Sequence, residues 1–163
     1  MKSRFSMNLD CGDPSVQWRD GGHLQGEQQT MNPTSQKLIR GVCIYDIVST
    51  IGMAVPGVSV LTIGLYASLH QSLGLGGQFP DFTPMHHMFV NCTGVLAFVW
   101  SIARMRSLDV FMVKCDIGAR FFLSAVILYS TFAAGTSQIF LAFVATETIG
   151  AVLEIVALKK AAA

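Results

Sequence analysis

Charge is scarce in this sequence. Eleven Lys or Arg and ten Asp or Glu make up 13% of 163 residues, about half the share in a soluble domain. A fold with an ordinary charged surface is therefore a poor match. The net charge of +1 supplies no basic field for a nucleic-acid partner. Cysteine is also sparse. Cys11, Cys43, Cys92 and Cys115 form no CxxC, and three of them fall inside apolar segments. That pattern disfavours a disulfide framework or a thiol redox centre. No Walker loop, GxSxG elbow, dinucleotide fingerprint or haem-attachment motif occurs, so the sequence calls for no cofactor. Spacings such as HxxxH, which would place two imidazoles on one metal, are missing too. No continuous apolar run follows the basic start at Lys2 and Arg4, as a secretory leader would require.

Long apolar runs are what the sequence has instead. Hydrophobic residues make up 52% of the chain, and the mean hydropathy is +0.51. Four segments approach or exceed the roughly 20 residues that a membrane crossing needs. They cover about 38–69, 86–103, 109–133 and 138–158. The expected fold is all-α, an integral membrane four-helix bundle over residues 37–160. Residues 1–36 are polar and aperiodic and are read as a disordered tail. Within it, Met31 offers a second start, with residues 1–30 as an over-called leader. Segment one contains Pro56-Gly57 and is expected to be one kinked or tilted helix. The alternative, two helices broken at Pro56, is disfavoured because each half would be too short to span. Residues 70–85 are expected to lie along the membrane surface.

The loop charges set an orientation. Lys37 and Arg40 precede segment one, Arg104, Arg106 and Lys114 surround the second connection, and Lys159 and Lys160 follow segment four. The other two connections carry no Lys or Arg. Four crossings put all three basic clusters on one side, which the positive-inside rule assigns to the cytoplasm together with both termini. Trp100 would then sit at a water–lipid boundary.

Polar groups inside the apolar segments mark the candidate site. Asp116 and Arg120 are four residues apart and share a helix face. At about 1.5 Å per residue, Arg120 and Glu147 both lie roughly 15 Å from the cytoplasmic ends, while Asp46, Asp116 and Glu154 lie shallower. Asn91 completes a seam of Asp46, Asn91, Asp116, Arg120, Glu147 and Glu154. Four carboxylates would thus face one deep arginine, with Glu147 and Asp116 as its partners. Such a cluster either holds helices in register or moves protons or ions. Tyr45, Tyr129 and Thr148 are further hydrogen-bonding candidates. A second cluster, His70, Asp81, His86 and His87, falls at the outer boundary. Adjacent His86 and His87 diverge by about 100° on a helix and cannot easily share a metal, so interfacial polar residues are expected, with His86 capping segment two. Gly64, Gly94, Gly118, Gly135 and Gly150 permit close helix approach without forming a GxxxG pair.

Several stretches, YDIVSTIGMAVPG, LHQSLGLGGQFPDFTPMHHMFVN, VWSIARMR, CDIGAR and FVATETIG, resemble a group of small bacterial four-helix inner-membrane proteins near the DoxX-like families. The resemblance covers about residues 38–158. It implies a four-helix fold in a bacterial inner membrane and no established activity. The leading expectation is an accessory or structural membrane subunit, working in the lipid bilayer as a homo-oligomer or within a larger complex. A proton- or ion-coupled carrier using the intramembrane carboxylates comes second. A membrane-bound enzyme using the outer histidines comes third.

Overall fold

The computed structural model describes residues 31–162. Among them every regular element is helical: α1 (Pro33–Ala54), α2 (Val58–Ser72), α3 (Pro84–Ser107), α4 (Val110–Phe132) and α5 (Leu141–Ala162). A 3₁₀ turn, Gln138–Phe140, leads into α5. The expected third segment matches α4 closely. The others shift, and the shifts matter for the site.

Helix α1 begins inside the stretch read as a tail. Asn32 caps it by accepting from Ser35 N at 2.8 Å, and Pro33 occupies the first turn, where its missing N–H costs nothing. The Asn32 side chain also donates to Lys160 O at 2.6 Å, and Ser35 Oγ donates to Ala157 O at 2.7 Å. The start of α1 is thereby fastened to the end of α5, and the two helices run antiparallel. Met31 packs with Ile39, Cys43, Val113 and Ala157 in a small apolar core at this end. The boundary at residue 36 is therefore corrected: residues 31–36 belong to the folded unit. Residues 1–30, with the leader expectation, lie outside the described residues.

The kink expected in segment one is a full break. Helices α1 and α2 meet at 100°. Gly57 precedes α2 with φ +84°, a left-handed conformation that glycine alone adopts at no steric cost. Pro56 cannot donate a hydrogen bond across the gap. The length argument against a break fails because α1 starts at Pro33 and reaches 22 residues by itself, about 33 Å. Helix α2, with 15 residues, is only about 22 Å long.

The loop after α2 is clipped to the turn between α4 and α5. Gln78 N donates to Gly135 O at 2.8 Å, Ser137 N to Gln78 O at 2.9 Å and Gln138 N to Gly76 O at 3.0 Å. Phe79 stacks on Phe140 with centroids 5.9 Å apart.

Helix α3 packs against α1 at very short range. A Cβ built on Gly94 would lie 2.5 Å from Ala54 N and 2.6 Å from Met53 C. Both are backbone atoms that cannot rotate away. Gly94→Ala is expected to destabilise the protein by about 1–3 kcal/mol through overpacking, read by thermal unfolding in detergent micelles. Gly64→Ala, where nothing lies within 4 Å, should be neutral or slightly stabilising.

Polarity is inverted relative to a soluble bundle. Leu61, Leu96, Phe111, Phe122, Tyr129 and Phe132 are among many large exposed apolar side chains, while Arg104, Asp116, Arg120 and Glu154 are buried. Such an outer surface is far more apolar than a monomer keeps in water. Two helical stretches, Pro84–Ser107 and Gln138–Ala161, are long and apolar enough to cross a membrane, and α1 with α2 meets the same criterion as a bent pair.

Candidate functional site: a buried charge network

Two arginines, not one, occupy the interior. Arg104 was expected in a loop, but α3 runs on to Ser107 and carries it inside as a fully buried residue. Its Nη1 lies 2.8 Å from Glu154 Oε1 on α5 and also pairs with Asp116 Oδ2 on α4. Its Nη2 donates to Asp46 Oδ2 on α1. One guanidinium group thus joins its own helix α3 to α1, α4 and α5. Planar forked donors suit such multiple carboxylate contacts.

Arg120 sits beside it. Its Nε donates to Asp116 Oδ2 at 2.7 Å, the i,i+4 pair expected from spacing. Its Nη1 donates to Glu147 Oε2 at 2.8 Å, as the matching depths suggested. Its Nη2 donates to Asp46 Oδ2, the same oxygen that Arg104 uses. Trp100 Nε1, expected at a lipid boundary, donates to Asp116 Oδ1 at 2.7 Å. Six charged side chains from four helices therefore share one network.

Glycine makes room for it. A Cβ on Gly150 would lie 2.7 Å from Arg120 Nη1, so any larger residue there would push the guanidinium off its present contacts. Among the described residues, Glu154 Oε2 and Arg104 Nε are buried without a hydrogen-bond partner, and Glu154 Oε2 lies 3.8 Å from Arg120 Nε. A recess of about 220 Å³ opens onto the network between Ser49, Thr50, Trp100, Ser101 and Leu123. Asp46 and Glu147 are its most accessible acids, with 14% and 20% of their side-chain surface exposed.

The remaining sequence candidates are not drawn in. Asn91 joins none of these hydrogen bonds, and its Oδ1 is buried without a partner among the described residues. Tyr45 and Tyr129 are largely exposed, and Thr148 donates to its own helix at Val144 O. The outer cluster separates into individual roles. His70 Nδ1 shares a 2.7 Å hydrogen bond with Ser137 Oγ. His86 forms a capping box with Thr83 at the start of α3. His87 packs on Phe82 with its Nδ1 unpartnered, and Asp81 is exposed. Among the described residues, no group of three or more His, Cys, Asp or Glu is arranged to hold a metal ion.

No family model, curated protein or solved structure matches this chain.

Proposed function

We propose that this chain is a four-crossing integral membrane protein acting as a small accessory or structural subunit, with the charge network as its internal lock. The crossings are α1, α3, α4 and α5, each of 22–24 residues, about 33–36 Å long. Helix α2 lies at the loop end. Among the described residues, the basic side chains outside the network are Lys37, Arg40, Arg106, Lys114, Lys159 and Lys160. They favour a cytoplasmic location for both ends of the bundle. Removing Arg104 from the loop charges leaves that assignment unchanged. The observation that carries the reading is Arg104 itself. A fully buried guanidinium bonded to acids of three other helices specifies one arrangement of the bundle and opposes any other, because each alternative strands a charge.

A second reading, proton-coupled transport, is favoured by the recess and by the charge count. Four carboxylates outnumber two guanidiniums, and intramembrane acids facing a cavity are the usual components of proton relays. Glu147→Gln separates the two readings. Arg120 keeps Asp116 and Asp46, so it is not stranded. A structural lock predicts a loss of about 1.5–3 kcal/mol, one charged hydrogen bond, measured by unfolding in micelles. It also predicts no proton flux in liposomes for either protein. A carrier predicts flux in the wild type that Glu147→Gln abolishes, with little change in stability.

A further inference from the structure

A second concavity lies on the other side of Gly150. It holds about 400 Å³ between α1 and α5, with Gly41 and Tyr45 on one wall and Ile149 and Leu153 on the other. Its lining is mostly apolar, with the hydroxyl-bearing Tyr45 and Thr146 among it and Lys37 as its one charged residue. From Lys37 to Tyr45 the groove follows eight residues of α1, about 12 Å. Lys37, Gly41 and Tyr45 are spaced i, i+4, i+8 and share one face.

The charged end is richer than one lysine. The bond from Asn32 to Lys160 O brings the end of α5 to the start of α1. Lys160 follows Leu153 and Ala157 at helical spacing, and Lys159, Lys160 and Arg40 are exposed. No acidic residue lines the groove. A basic mouth above an apolar slot matches a molecule with an anionic head and a hydrocarbon tail.

We infer that this groove is a site for one anionic phospholipid, its phosphate at Lys37 and an acyl chain along Gly41 and Leu153. The site rests on the bilayer-spanning reading above. Basic residues at the membrane surface attract anionic headgroups, and an open glycine leaves space for the chain. Nothing lies within 4 Å of a Cβ on Gly41, so a larger side chain there enters the groove without moving the bundle.

The test is native mass spectrometry of the full chain in mild detergent, titrated with phosphatidylglycerol or phosphatidylcholine of identical acyl chains. The wild type should retain one phosphatidylglycerol in preference to phosphatidylcholine, and Lys37→Gln should weaken that preference about fivefold. Gly41→Leu should lose the bound lipid while unfolding at the wild-type temperature. Equal retention of both lipids, or undiminished retention by Gly41→Leu, overturns the site. A disulfide between two copies of Gly41→Cys would also overturn it, since a second copy would then fill the groove. Failure to incorporate into vesicles at all would instead overturn the bilayer-spanning reading.

Discussion

Arg104→Leu should cost about 3–5 kcal/mol, the loss expected when one partner of a buried ion pair is removed. Glu154 is fully buried, and its only hydrogen bond among the described residues comes from Arg104. Asp46 and Asp116 each lose one of two guanidinium partners. Four acids from three helices, Asp46, Asp116, Glu147 and Glu154, would then face Arg120 alone. Unfolding in micelles should show a lower midpoint or no cooperative transition. Arg106→Leu is the control. Arg106 lies two residues away and is exposed, so its replacement should change stability by no more than about 0.5 kcal/mol.

The second large effect belongs to Asp46→Asn. One oxygen, Asp46 Oδ2, accepts from Nη2 of both arginines. An amide is isosteric and its oxygen can still accept, but it is neutral and removes the negative charge that both guanidiniums share. Each charged hydrogen bond contributes about 1.5–3 kcal/mol, so a loss of about 3 kcal/mol or more is expected. Asp81→Asn, on an exposed acid outside the network, should have no measurable effect. If both aspartates tolerated the change equally, Asp46 would not bridge the arginines.

Part of this site was legible because helical geometry is rigid. Spacing alone paired Asp116 with Arg120, and counting rise per residue placed Glu147 opposite Arg120. Asp46 and Glu154 entered the same seam as acids inside apolar segments, at the shallower level of Asp116. Arg104 escaped because helix ends are the least determined feature of a sequence. Arg104, Arg106 and Ser107 together read as a polar connection, and one further turn of α3 reverses the meaning of Arg104. Trp100 was misplaced with it, since an indole near a presumed helix end resembles a belt residue. Its N–H instead turns inward to Asp116 on α4.

The break at Pro56-Gly57 was hidden by a different error. The apolar run from residue 38 to 69 seemed to need both halves for one crossing. The polar letters Asn32 to Gln36 masked a capped helix start, although Asn32 and Pro33 are typical of one. With α1 complete from Pro33, α2 is free to turn away at Gly57. The close approach at Gly94 had a weak signal, a glycine inside an apolar segment, but its partner Ala54 is forty residues distant and no local pattern identifies it.

The measurement that tests the account most directly is a double-mutant cycle on Arg104 and Glu154, using Arg104→Met and Glu154→Met. Arg104→Met strands the buried Glu154, and Glu154→Met takes one of three carboxylate partners from Arg104, whereas the double change removes one positive and one negative charge together and preserves the balance of the network. The network predicts that Arg104→Met is strongly destabilised, that Glu154→Met loses less, and that the double variant is more stable than the sum of the two losses, with a coupling of about 1.5 kcal/mol or more. Additive losses with no coupling would show that Arg104 and Glu154 do not meet inside the bundle, and the internal lock would be contradicted.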